Sequence, residues 1–180
     1  MNSPNFKVVL AGDVNVGKTS LIHRFVNDSF AKDYLPTLGF QIFIKSVQVN
    51  DISVAFQIWD VGGGSSFQFL RKNNYLHSQG FLLVFDLGKA ESFKNLERWL
   101  VEIRDVCPQA PFVLVANKAD LPYQEISLAE INAKCDLLGA SGKVFTSAKT
   151  GLNVKDAFVI LGQAIIGILE KKNFVKSNSW

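Results

Sequence analysis

The strongest constraint on this chain is one short string, Gly12-Asp13-Val14-Asn15-Val16-Gly17-Lys18-Thr19, which fits the pattern G-x-x-x-x-G-K-[ST]. Its flanks matter as much as its letters. Before it, Phe6 to Ala11 is an apolar run of strand length; after it, Lys18 to Asn27 sets Leu21, Ile22 and Phe25 at helical spacing. Strand, glycine turn and helix in that order make a cradle for phosphate. Glycines let backbone N–H groups close around phosphate oxygens, and the helix adds its unpaired N–H groups and positive dipole end. Lys18 can neutralise the outer phosphates, and the Thr19 hydroxyl is small enough to ligate Mg2+, which prefers oxygen. A nucleoside triphosphate with magnesium is the implied ligand.

The rest of the chain alternates in the same way. Phe40 to Val49 and Ser53 to Asp60 read as a hairpin turning at Asn50-Asp51-Ile52, with the second strand central and the first nearer an edge. Gly62-Gly63-Gly64-Ser65-Ser66 breaks the pattern before a weakly helical stretch to about His77. Phe81 to Asp86 and Phe112 to Ala116 are apolar on both faces, as strands covered on two sides are. One helix is expected over Glu91 to Cys107, with Phe93, Leu96, Leu100, Ile103 and Val106 on one face. Ser127 with Glu130 opens another to about Leu138, Val144 to Thr146 is a last short strand, and Asn153 caps a closing helix to about Glu170 with a frayed polar tail after it. Strands alternating with helices through right-handed crossovers give an α/β fold, a mostly parallel sheet with helices on both faces. Its ligands belong at the carboxyl ends of the strands.

Composition narrows the setting. The chain of 180 residues suits one domain burying roughly 70% of its unfolded surface, so no disulfide staple is needed. Cys107 and Cys135 have no metal-ligand spacing and read as buried thiols, and His23 and His77 stand apart from each other and from any cysteine pair. The 19 basic and 16 acidic residues interleave, leaving no stripe to track a nucleic acid. No apolar run nears the roughly 20 residues that span a bilayer, and Met1-Asn2-Ser3-Pro4 lacks signal-peptide features. A cytoplasmic protein is expected, peripheral to membranes at most through a partner.

Asn117-Lys118-Ala119-Asp120 follows the Phe112 strand and so stands on the phosphate rim. A carboxylate at Asp120 can accept two N–H bonds from guanine. Adenine offers no such donor pair on that edge, and leaving the carboxylate unpaired is costly. Thr146-Ser147-Ala148-Lys149 follows the last strand and completes a polar pocket.

With these motifs in this order the sequence resembles the Ras superfamily of small GTPases, most closely its Rab branch, over about residues 6 to 172. The carriers are Gly12 to Thr19, Thr37 within Tyr34-Leu-Pro-Thr-Leu-Gly39, Asp60-Val-Gly-Gly63, Asn117-Lys-Ala-Asp120 and Ser147-Ala-Lys149. Trp59, Glu91-Ser-Phe93 and Trp99 are Rab-like, while Trp-Asp-Val-Gly-Gly is also similar to the Arf branch. The resemblance implies the P-loop NTPase three-layer fold with a six-stranded sheet. It implies residues 1–5 as an extension, 6–172 as the GTPase domain and 173–180 as a polar tail.

By matching position it also implies the site. GTP or GDP would sit on Asn15, Val16, Gly17, Lys18, Thr19 and Ser20, with Phe30 stacking on guanine, Tyr34 closing over the phosphates and Gly63 donating its N–H to the γ-phosphate. Asn117, Lys118, Asp120, Ser147, Ala148 and Lys149 would hold the base, the Ala148 N–H meeting the guanine carbonyl. Thr19 and Thr37 would ligate Mg2+, with Asp60 holding it through a water. Two switch segments, about Phe30 to Phe40 and Val61 to Asn74, would order with GTP and present a surface to protein effectors, with an exchange factor as a further expected partner. Trp59, Tyr75 and Ile42 are candidates for an apolar effector patch.

Two departures stand out. The family follows its second-switch glycine with a Gln that orients the attacking water; here Gly64 stands there, and positioning is much of what catalyses phosphoryl transfer. Val14 replaces a usual small residue and would crowd the γ-phosphate. No confident catalytic residue remains, hydrolysis is expected to be slow, and the triple glycine is expected to be poorly ordered even with GTP. No cysteine near the end offers prenylation and Asn2 excludes N-myristoylation, so no lipid anchor is expected in this chain. A membrane-trafficking switch with weak GTPase activity, and a pseudo-GTPase interaction module with a structural nucleotide, even half of a longer tandem protein, both fit the sequence.

Overall fold

In the computed structural model, the described residues are 3–31, 37, 39–64 and 68–177. Six strands, β1 (Asn5–Ala11), β2 (Phe40–Val49), β3 (Ile52–Val61), β4 (Gly80–Asp86), β5 (Phe112–Asn117) and β6 (Gly142–Phe145), form one sheet in the order β2-β3-β1-β4-β5-β6. Only β2 and β3 pair antiparallel; every other neighbour is parallel. β1 therefore has β3 on one side and β4 on the other, and the chain's direction of travel across the sheet reverses there. That reversal is where the carboxyl ends of parallel strands open a crevice.

Among the described residues six helices cover the sheet: α1 (Lys18–Asn27), α2 (Gln68–Tyr75), α3 (Ala90–Lys94), α4 (Leu96–Val106), α5 (Leu128–Leu138) and α6 (Val154–Ser177). Alternation along each strand divides the core in two. Val8, Leu10, Leu82, Val84, Val113 and Val115 face α1 and α6, where Phe25 stacks on Phe158 with ring centres 3.8 Å apart. Val9, Leu83, Phe85, Phe112 and Leu114 face the other side with Leu96, Trp99 and Ile103 of α4 and Ile131 of α5. Strands with apolar residues on both faces are buried on both faces, so the three-layer expectation holds.

The hairpin turns at Asn50 with a φ of 53°, with β2 at the edge and β3 inside. Ser127 and Glu130 form the full capping box at α5. Two helices differ from expectation. The helix expected over Glu91 to Cys107 is split at Asn95, although hydrogen bonding continues across it, from Asn95 N to Glu91 O and from Trp99 N to Asn95 O. The closing helix runs on to Ser177, so the stretch after Glu170 continues the helix; lysine is a good helix former, and polarity alone does not end a helix. Asn153 sits at φ 51° and its side-chain amide donates to the Phe145 carbonyl.

Candidate functional site

Strand ends place the site. β1, β3, β4, β5 and β6 run parallel and finish on one rim, so the loops after Ala11, Val61, Asp86, Asn117 and Phe145 meet there. Between them lies a cavity of about 470 Å3 lined by Asn15, Gly17, Lys18, Thr19, Ser20, Phe30, Thr37, Gly63, Asn117, Lys118, Asp120, Ala148 and Lys149 of the expected set. Val14, Ala31, Gly62, Gly64 and Leu121 line it too. Val16 turns its side chain into the core and leaves its backbone to the loop. Tyr34 lies outside the described residues, as do 32, 33, 35, 36 and 38 of the first switch and 65–67 of the second.

The loop's glycines answer to contacts. Gly17 has a φ of 99°, and a Cβ there would fall 2.3 Å from Asn117 Nδ2. A Cβ on Gly63 would fall 2.7 Å from the Gly12 carbonyl oxygen and 2.9 Å from Lys18 Nζ. Only residues without side chains let the second-switch backbone touch the phosphate loop this closely. Lys18 is buried and donates to the carbonyl oxygens of Gly12 at 2.7 Å and Asp13 at 2.8 Å. Burial pushes its pKa down to about 8, against the pull of the Asp60 and Asp13 carboxylates. An ammonium held at that cost is poised for anionic company.

Thr19, Thr37 and Asp60 come together although they are far apart in the chain. Asp60 Oδ2 accepts from Thr19 Oγ1 at 2.6 Å and from Thr37 Oγ1 at 3.2 Å, and the two hydroxyls lie 2.9 Å apart. Asp60 is fully buried and its Oδ1 has no hydrogen-bond partner among the described residues. A buried carboxylate oxygen with no partner is costly, and this one sits in a cluster of hard oxygen donors. Such a set fits Mg2+.

At the other end the side chains fasten one another. Asn117 Nδ2 donates to the Val16 carbonyl at 2.9 Å, while its Oδ1 accepts from Thr146 Oγ1 at 3.1 Å. The Ala148 N–H, expected to meet a guanine carbonyl, here donates to the same Asn117 oxygen at 3.3 Å. Ser147 Oγ donates to Asp120 Oδ1 at 2.6 Å, and Lys149 Nζ stands 3.9 Å from Asp120 Oδ2. Ser147 thus acts on the pocket through Asp120. Lys118 has a φ of 65° and its ammonium pairs with Asp86 at 2.7 Å. That ion pair draws its stem along the pocket wall, where the resemblance places the base.

Sequence reasoning missed several members. Asp86 and Asp13 carried no motif signal of their own. Arg24 was equally silent, yet it donates to the carbonyls of Ala148 at 2.9 Å and Lys149 at 2.7 Å and so ties α1 to the base loop. Of the three candidates for an effector patch, Tyr75 is fully buried against Phe81 and cannot present a surface. Its aromatic ring serves the core. Trp59 and Ile42 remain partly exposed, with Phe40 stacked on Trp59 at 5.2 Å.

Comparison with known proteins gives the family. A sequence profile of the Ras family fits residues 7–167. The Ras-related protein RABA1h of Arabidopsis thaliana is 37% identical over 171 residues, 93% of this chain and 77% of that protein. Rab7 of Drosophila melanogaster is 37% identical over 162 residues, covering 87% of this chain and 78% of its own length. The Ypt/Rab-type GTPase ypt7 of Schizosaccharomyces pombe is 36% identical over 159 residues, 84% of this chain and 78% of the relative.

Proposed function

The chain belongs to the Ras family as a Rab-like small GTPase, and from that premise we propose a guanine-nucleotide switch of membrane trafficking whose triphosphate form is long-lived. The domain that carries it spans residues 6–172. The supporting observation is the single cavity into which Lys18, the Thr19–Thr37–Asp60 cluster and Asp120 all open or feed. Asp120 accepts the two N–H groups of guanine, Phe30 and the Lys118 stem flank the ring, and the backbone from Asn15 to Ser20 holds phosphate. Thr19 and Thr37 would ligate magnesium, with Asp60 holding it through a water, and the ion would supply neutralisation of phosphate charge.

Turnover is the weak function. Gly64 lines the cavity and has no side chain to orient water, while Val14 is 41% exposed beside it. Positioning contributes much of phosphoryl-transfer catalysis, so loss of the positioning group and added bulk act in the same direction. These two residues also favour a second reading, in which one bound nucleotide is a structural element of an interaction module. Effectors would meet the partly exposed Phe40, Ile42 and Trp59 beside the switches, on a protein located in the cytoplasm and brought to membranes by a partner.

Titration calorimetry with magnesium separates these statements from their rivals. GDP and GTP are expected to bind tightly and ADP and ATP at least a hundredfold more weakly. Equal affinities for adenine and guanine nucleotides would refute the base assignment. Exchange of bound GDP for free GTP supports the switch, whereas a nucleotide that never exchanges supports the structural reading.

A further inference from the structure

Behind the cavity a connected set of side chains joins the two loops that face the third phosphate. Arg71 on α2 is 5% exposed and meets Glu102 on α4 with two parallel bonds, Nε to Oε1 at 2.8 Å and a terminal nitrogen to Oε2 at 3.1 Å. Its other terminal nitrogen donates to the carbonyl oxygen of Gly64. The guanidinium lies 4.6 Å from the centre of the Trp99 ring. Trp99 Nε1 in turn donates to Asp13 Oδ1 at 2.7 Å, and Asn95 Nδ2 to Asp13 Oδ2 at 2.7 Å. Asp13 belongs to the phosphate loop. Both loops are thus fastened to the segment that carries Asn95, Trp99 and Glu102.

The physical need is plain. Glycine loses the most backbone freedom on ordering, and Gly62-Gly63-Gly64 has no side chain by which neighbours could hold it. A guanidinium fixed in a two-point fork by Glu102 has its remaining donors aimed in set directions, which an ammonium could not match. One of those donors falls on the only acceptor Gly64 has, its carbonyl.

We propose that Arg71 is a positioning residue: in place of the poor order expected of the glycine run from its sequence, it acts through the Gly64 carbonyl to set the Gly63 N–H against the phosphate loop before any third phosphate arrives. Its binding consequence rests on the guanine-nucleotide reading above, because the Gly63 N–H would meet only a third phosphate. Preorganisation of that donor strengthens GTP binding and leaves GDP binding alone.

Arg71→Ala leaves Glu102 buried and unpaired and so risks unfolding. The main test is therefore the double variant Arg71→Met with Glu102→Leu, which keeps apolar volume in place of the ion pair, together with Arg71→Lys, which keeps the charge without the fork. In GDP-loaded protein, NMR order parameters of the Gly63 and Gly64 amides are expected near about 0.85 for the wild type and below about 0.6 for both variants. Affinity for a non-hydrolysable GTP analogue should fall about tenfold and that for GDP less than about twofold, which loss of mere packing would not produce. Unchanged glycine order in the variants, or equal loss for both nucleotides, overturns the proposal. If the wild type bound neither nucleotide, the function reading would fall. The glycine order parameters of the purified protein would still support or overturn the role of Arg71 by the same criterion.

Discussion

At the end of the cavity proposed to take the base, Asn117, Asp120, Ser147 and Thr146 hold one another by side-chain hydrogen bonds, and Lys118 is anchored on Asp86. At the end proposed to take the third phosphate, Gly62, Gly63 and Gly64 present backbone alone, Val14 adds bulk, and Arg71 bonds the Gly64 carbonyl from behind. Recognition and turnover ask different things of a site. Recognition needs fixed acceptors of the right shape, and the first end keeps them. Turnover needs a side chain that places water, and Gly62, Gly63 and Gly64 supply none among the described residues.

Breaking the base end should have the largest effect. Asp120→Asn replaces an acceptor by a donor facing donors, and calorimetry should show GDP affinity lower by roughly 10³-fold or more. A loss below tenfold would mean that the base is not read there. Next in size, Glu102→Ala strands the Arg71 guanidinium in a nearly dry site, since both side chains are only 6% exposed. Unfolding in urea should show about 3 kcal/mol lost, and a change under about 1 kcal/mol would show that the pair is incidental.

A smaller and opposite effect sharpens the other end. Gly64→Gln combined with Val14→Gly restores a water-orienting side chain and removes bulk, and single-turnover hydrolysis should rise by roughly 10–100-fold. GDP affinity should hardly move; if it changes more than the rate does, the two ends are not separable.

The smallest effect is a control remote from both. Ser127→Ala removes the N-cap of α5 and should cost about 1 kcal/mol in stability with nucleotide affinity unchanged. Hydrogen bonds from Ser127 hold the Glu130 pKa below its usual value. Its contribution is therefore fully present above the unfolded carboxylate range and lost as pH falls through the depressed folded value. The gap between the stability curves of wild type and Ser127→Ala should narrow in acid, leaving the contribution of the bond from the Glu130 N–H to Ser127 Oγ, which does not titrate.

The legibility of these features in the sequence followed their reach along the chain. The phosphate loop, the Asn117 to Asp120 turn and the α5 capping box each lie within a few consecutive residues, so spacing alone exposes them. Two-sided strands such as Phe81 to Asp86 announce burial by composition. The Asp13–Trp99 and Arg71–Glu102 pairs join residues 86 and 31 positions apart, and no period or motif marks such partners. Tyr75 misled for a related reason: an aromatic beside a switch reads equally as surface patch or core, and only the packing against Phe81 decides. The run of α6 past Glu170 was hidden because lysines suit both a tail and a helix end.

The most direct measurement of the central claim is to load the purified protein with GTP and magnesium, remove free nucleotide, and identify by chromatography what stays bound over several hours at 25 °C. Retention of mostly intact GTP is the predicted result. Complete conversion to GDP within minutes would contradict the weakened-turnover account, and failure to retain any guanine nucleotide would contradict the site itself.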